Sequence, residues 1–384
     1  MDNTNFASYQ AKIKVVGCGG GGCNAINRMV EKGVKGVEFI SINTDAQHLA
    51  MNGAKTRIQI GPKLTRGLGA GGDHEVGRKA AEESREDIAA AIGDCDLLFV
   101  TAGMGGGTGT GSAGVVAEIG KQQAKALVIA IVTKPFGFEG KVRDDRAEAG
   151  IAALQKNADT LIIVPNDRLL AVCDYKVSLN DAFMTADEIL RNGVQSIAEL
   201  ITVPGLVNLD FADVKAIMTG AGQAWMAMGK GTGPNRAVDA AKAAITSPML
   251  EVSIEGAKGV LIAIQGDTSL GITEVNEAAN IIRSSVDPMA NIIFGVSYNA
   301  GLVDAVRITI IATGFTASRR NAKVNDDEIR QKLTELKEED KLDTPTFLRH
   351  PLPQHKQQFT APEVKAGTRP APVAAPQYAE RKFR

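Results

Sequence analysis

The chain has 384 residues, 44% hydrophobic and 23% charged, enough for two globular domains with cores of their own. With 43 Lys and Arg against 44 Asp and Glu the net charge is -1, which removes the electrostatic case for nucleic acid or an anionic membrane as the main partner. One Trp and four Tyr leave few platforms for stacking single strands, and no run approaches about 20 uninterrupted apolar residues, so no segment is expected to span a membrane.

In chain order, Met1 to Gln10 is polar and lacks the apolar run of a signal peptide, so residues 1–11 read as a flexible N-terminus. Ile13 to Gly17 reads as a buried strand entering a glycine loop, followed by a helix from about Asn24 to Lys32 and a strand from Val37 to Asn43. Leu97 to Thr101, Leu127 to Thr133 and Thr160 to Val164 are further short apolar strands, with helical runs at Glu75 to Ile92 and Val142 to Gln155. This alternation predicts an α/β fold over 12–178, a Rossmann-like parallel sheet covered on both faces. A long central helix, Leu179 to Thr202, follows in segment 179–203, with Ser178 as N-cap, Asp181 at its positive end and Pro204-Gly205 as its stop. Phe183, Leu190, Val194, Ile197 and Ile201 form one apolar stripe along it.

Residues 204–317 change pattern. Helices are expected near Phe211 to Met218, Ala237 to Ile245 and Glu274 to Ser285, and strands near Ala224 to Met228, Gly259 to Ile264, Asn291 to Val296 and Val306 to Ala312. We read a smaller C-terminal α/β domain with a sheet of its own. Residues 318–342 are a charged linker, 343–351 a locally apolar tail peptide, and 352–384 a disordered basic tail, with six basic and two acidic residues from Leu352 onward and Pro362, Pro370, Pro372 and Pro376 among them. Cys18, Cys23, Cys95 and Cys173 make no CxxC pair and no metal spacing, so free thiols are expected and no metal site.

Two glycine runs carry the chemistry. Gly17 to Asn24 follows a strand and opens a helix, so its backbone N–H groups can approach an anion closely and the helix dipole favours negative charge. Gly17, Gly19 and Gly22 also fit G-x-G-x-x-G, with Asp45 lying 23 residues beyond, so a dinucleotide site and an NAD-dependent oxidoreductase remain an alternative. No Gly-Lys-Ser/Thr follows, which excludes a Walker-type loop. The second run, Gly103 to Gly111, follows the strand ending at Thr101, and two cradles at adjacent strand ends can wrap a triphosphate from both sides. Thr108 and Thr110 offer hydroxyls to phosphate oxygens or to a water on Mg²⁺.

Gly105 to Gly111 resembles the tubulin-family signature GGGTG[ST]G, and from about Lys12 to Phe315 the chain resembles the tubulin/FtsZ family. Further matching stretches are Asn43 to Gln47, Gly67 to Gly71, Thr133 to Phe136, Pro165 to Asp167 and Asn208 to Asp213. The resemblance implies a GTPase domain, a core helix and a C-terminal domain, with GTP or GDP as ligand and Mg²⁺ carried by the nucleotide. It assigns Gly20, Gly21, Gly22, Asn24, Gly105, Gly106, Gly107, Thr108, Gly109 and Thr133 to the nucleotide, and Glu139 and Arg143 to the ribose and phosphate region; by pattern alone that last pair is equally a surface ion pair. Asn166, Phe183 and Asp187 would recognise guanine. Phe183 and Asp187 share a helix face at i, i+4, offering a ring and a carboxylate for the guanine N1–H and N2–H₂ donors, although Phe183 also suits ordinary core packing.

Catalysis is expected from Asn208, Asp210 and Asp213, where two carboxylates and an amide can orient a water for attack on the γ-phosphate. The long helix sets them about a domain height from the nucleotide, so they would complete a neighbour's site in a head-to-tail homopolymer; by position alone, Asp210 also reads as an N-cap of the next helix. Asp343 to Arg349 resembles the family's tail peptide, with Thr344 where Ile is usual, and implies docking to membrane-tethering and regulatory division proteins. The implied setting is cytoplasmic, at the division site on the inner face of the membrane, where such filaments form the division ring. A non-hydrolysing structural filament is the third reading.

Overall fold

The computed structural model describes residues 11–170, 178–203, 205–207, 209–250, 253–299 and 301–315. All of them fall within one compact unit, 1–321. Asn208, the linker, the tail peptide, the basic tail and nearly all of the N-terminal segment lie outside the described residues.

The first half runs β1 (Ile13–Cys18), α1 (Gly19–Glu31), β2 (Glu38–Asn43), α2 (Ala46–Ala50), β3 (Thr56–Gln59), α3 (Pro62–Thr65), α4 (His74–Glu83), α5 (Arg85–Ile92), β4 (Leu97–Gly103), α6 (Thr108–Gln122), β5 (Leu127–Lys134), α7 (Lys141–Asn157), β6 (Thr160–Pro165) and α8 (Asn166–Leu170). The second continues α9 (Leu179–Thr202), α10 (Phe211–Met218), β7 (Gly222–Thr232), α11 (Arg236–Ile245), β8 (Gly259–Gly266), α12 (Ile272–Ser284), β9 (Asn291–Tyr298) and β10 (Ala305–Thr313). β3-β2-β1-β4-β5-β6 pair in parallel, and the order continues as β7-β10-β8-β9.

Side-chain alternation sends each strand's residues to two cores. Ile13 and Val15 of β1 join one cluster, while Val16 and Cys18 join the other. Helix α9 packs Leu190, Val194 and Ile197 into the first, each buried to 1% or less exposure, at roughly 1.5–3 kcal/mol of transfer free energy per side chain. The second-half strands and helices α11 and α12 enclose a third core around Ile262, Ile264 and Ile308.

Three expectations change. The strands after α9 do not stand apart: β7 pairs with β6 over Thr160–Ile162 and Gly222–Ala224, giving one ten-stranded sheet. The helix expected at Glu75–Ile92 is two, because the chain turns at Ser84, which accepts from Gly61 N–H through its hydroxyl. Helix α1 begins at Gly19, five residues earlier than expected. Its glycines are poor helix formers, but Gly19 and Gly21 pack against Gly109 and Gly103 of the second glycine run.

Two reference points orient the molecule. At the C-terminal edge of the parallel strands, the Phe183 ring on the second turn of α9 meets Phe136 edge-on, with centroids 5.4 Å apart. At the N-terminal edge, Gly36 before β2 lies so close to Thr202 that a Cβ there would come within 2.6 Å of its side chain. Helix α9 therefore spans the sheet from edge to edge.

Candidate functional site

The loops leaving β1, β4, β5 and β6 surround a cleft of about 470 Å³ at the C-terminal edge, where parallel sheets place their ligands. β1 and β4 are neighbours in register, Cys18 opposite Ala102, so the two glycine runs leave the sheet side by side. They press together. A Cβ on Gly19, whose φ is +68°, would lie 2.5 Å from the Gly109 nitrogen, and one on Gly109 would lie 2.8 Å from the Cys18 carbonyl oxygen. Helices α1 and α6 begin in these runs, and neither N-terminus has a side-chain cap. Their first-turn N–H groups are the donors a helix leaves unpaired, and two dipoles converge on the cleft.

Gly20, Gly21, Asn24, Gly106, Gly107, Thr108, Gly109, Thr133, Glu139, Arg143, Asn166, Phe183 and Asp187 all line the cleft. Gly22 and Gly105 stand behind its wall. A Cβ on Gly22 would meet the Thr101 carbonyl oxygen at 2.5 Å, so that glycine serves packing. Gly105, at φ +97°, shapes the second loop and donates its N–H to Thr110 Oγ1 at 2.9 Å. That bond also corrects the expectation for Thr110, whose buried hydroxyl holds the loop and does not line the cleft. Thr108 does line it, its hydroxyl 2.6 Å from that of Thr44, a residue of the β2–α2 connection that sequence reasoning did not single out.

The far wall is aromatic and acidic. Phe136 stacks on Phe138 at 5.0 Å and meets Phe183 edge-on, while Phe183 stays 40% exposed, which disposes of simple core packing. Phe136 and Phe138 support the Phe183 ring without lining the cleft themselves, a packing role that the Thr133 to Phe136 stretch alone did not reveal. Burial pushes the Asp187 carboxyl up from 3.8 to about 7; Arg28 pulls it down and Glu188 adds to the rise. Asn166 is 5% exposed, and its Oδ1 has no hydrogen-bond partner among the described residues, an acceptor awaiting a donor. Glu139 pairs with Arg143 and accepts the Phe136 N–H at 2.8 Å, so Glu139 is fixed while Arg143 stays half exposed at the rim. Behind the first loop, burial raises the Cys23 thiol to about 12 and leaves it protonated.

The dinucleotide fingerprint fares less well. Asp45, which would have held a ribose, caps α2 by accepting from the Gln47 and His48 N–H groups at 2.9 and 3.1 Å. Asp210 and Asp213 do not line the cleft. They sit on the first turn of α10, beyond the opposite end of α9, and both are exposed. Asp210 occupies the N-cap position but its carboxylate makes no capping bond, so its side chain is not committed to its own helix. No group of three or more His, Cys, Asp or Glu suited to a metal occurs among the described residues, and none of the described helices is long and apolar enough to cross a membrane.

The model described as the Tubulin/FtsZ family, GTPase domain, matches residues 12–174, and that of the FtsZ family, C-terminal domain, matches 222–316. Among solved structures, the chain is similar to an FtsZ dimer of M. jannaschii at 47% identity and TM-score 0.78, over 81% of this chain and 90% of that one. CetZ1 of Haloferax volcanii, described as a GDP-bound monomer, shares the fold at 21% identity and TM-score 0.71, over 84% of this chain and 99% of that one. CetZ2 of the same organism, a GTPγS-bound protofilament, does so at 19% and 0.68, over 85% and 99%.

Proposed function

The chain belongs to the tubulin/FtsZ family, and from that premise we propose that it is a GTPase that assembles head to tail, each subunit completing the catalytic site of the next. GTP is the substrate, with Mg²⁺ carried on its phosphates. The residues fit it. Uncapped N–H groups of α1 and α6 face the phosphates, with Arg143 as the half-exposed cation at the rim. Phe183 supplies a ring face, and Asp187 and the unpaired Asn166 Oδ1 supply acceptors, which suit the donor edge of guanine better than that of adenine.

One observation carries the shared site. The 24 residues of α9, about 36 Å of helix, separate the guanine end of the cleft from the exposed Asp210 and Asp213. Their carboxylates orient and polarise the attacking water only for a neighbour's γ-phosphate, with Asn208 as the amide partner. Both faces of such a contact carry exposed apolar residues: Leu68, Phe138 and Leu179 around the cleft end, and Leu206 and Val207 on the loop before Asp210. A top-to-bottom contact of this kind is heterologous and, when its rotation does not close, builds a filament. Cleavage of the interfacial nucleotide then weakens the joint. The division-ring role, the location at the inner membrane face and the docking of division proteins through Asp343 to Arg349 complete the reading.

Phosphate release per subunit, measured against protein concentration, tests it. Turnover should rise cooperatively with concentration alongside light scattering; a specific activity constant down to the dilute monomer would sink the shared site.

A further inference from the structure

We propose that His48 is a positioning residue for the cleft: it fixes the side-chain amide of Asn24 so that Nδ2, the donor end, faces the nucleotide. The inference rests on the nucleotide reading above and adds a residue that the reading does not use.

The polarity is set by a group whose role is not adjustable. The backbone N–H of Asp45 is a donor, and it donates to Asn43 Oδ1 at 3.3 Å. Asn43 is only 3% exposed, so its amide orientation is set inside the protein, with Oδ1 the accepting end and Nδ2 the donating end. Asn43 Nδ2 lies 3.1 Å from His48 Nδ1, which must therefore be the unprotonated, accepting nitrogen of a neutral ring. The ring proton is then on Nε2. His48 Nε2 lies 3.1 Å from Asn24 Oδ1 and donates to it. With Oδ1 engaged, Asn24 offers Nδ2 to the cleft that it lines. Each step leaves one choice for the next, and the polarity runs from a main-chain N–H to the nucleotide-facing amide.

The frame holding the chain is local. His48 N–H is bonded to Asp45 Oδ1 at 3.1 Å, so one residue supplies both the starting donor and the clamp on the His48 backbone. Asn24 itself is exposed on the first turns of α1. Without His48 its amide is free to rotate and to turn Oδ1, an acceptor, towards the cleft in place of the donor. The expected loss is that of one oriented hydrogen bond to an anion, about 3- to 10-fold in affinity.

The test uses the full chain and GDP, with binding read by isothermal titration calorimetry. His48→Ala and His48→Asn, neither of which reaches Asn24, should weaken GDP binding about 3- to 10-fold. His48→Gln, whose side-chain amide can keep the Nε2-like donor, should restore it to within about 2-fold. Asn24→Ala should weaken binding at least as much, and the Asn24→Ala, His48→Ala double variant no further, since His48 acts only through Asn24. Thermal unfolding of each ligand-free variant reports on folding. A general structural role for His48 would instead give additive losses in the double variant and no rescue by Gln, and either result overturns the proposal, as does His48→Ala binding like wild type. A wild-type chain that binds no GDP would overturn the nucleotide reading itself, a distinct outcome.

Discussion

Asp187 shows how a single side chain ties binding to pH. Its carboxyl is held at about 7 by burial in the ligand-free cleft, against an ordinary 3.8. Guanine offers it donors, and only the ionised form accepts both, so binding should pull the value down and release a proton. Guanine-nucleotide affinity should therefore fall as pH drops below about 7, approaching 10-fold per unit, and level off above it; calorimetry in buffers of differing ionisation enthalpy measures both effects. The sign for folding is opposite to that of a paired carboxylate. Because the folded value is raised, Asp187 erodes stability as pH climbs from about 4 to about 7. Asp187→Asn should raise the melting temperature of the ligand-free protein at pH 8 while weakening guanine binding about 10-fold or more. Wild-type affinity in the Asp187→Asn variant would remove Asp187 from guanine recognition.

At the scale of elements, the site is the meeting of two strand-to-helix turns. Gly109 lies 2.8 Å in prospective Cβ distance from the Cys18 carbonyl and 3.1 Å from that of Gly103, both backbone atoms that cannot swing away. Gly109→Ala should force α6 away from α1, cost about 1–3 kcal/mol of stability by overpacking, and lower nucleotide affinity more than 10-fold. Chemical denaturation and nucleotide titration of the same sample check the pair. The uncapped N-termini of α1 and α6 follow the same logic in the proposed site: a capping side chain would occupy the N–H groups assigned there to the phosphates.

The whole molecule supplies what neither turn can. Helix α9 sets the cleft and the acidic turn of α10 at opposite edges of the sheet, so the molecule is two-ended. Mixing Asp213→Ala with wild type should poison turnover beyond simple dilution, because a mutant subunit still binds GTP yet leaves its neighbour's nucleotide uncleaved. Phosphate release that falls only in proportion to the wild-type fraction would mean that each chain cleaves its own. The exposure of Asp210 and Asp213 and the absence of a capping bond from Asp210 leave these side chains available for such a contact.

The linear pattern of residues determined much of this protein. Apolar runs marked the first-half strands β1, β2, β4, β5 and β6 to within two residues, and the bounds of α9 were legible from its cap and stop, because these signals act over a few residues. Two glycine runs announced the cleft, since close approach to an anion has no other common solution among side chains. Only the tertiary structure decided the rest. The early start of α1 depends on packing against a run about 80 residues away, and the join of β7 to β6 depends on pairing across a long separation. The retreat of Gly22, Gly105 and Thr110 from the cleft wall, the raised Asp187 and the relay through His48 all depend on neighbours that are distant in sequence or on burial. A local pattern carries neither the identity of such a neighbour nor the dielectric around a charge.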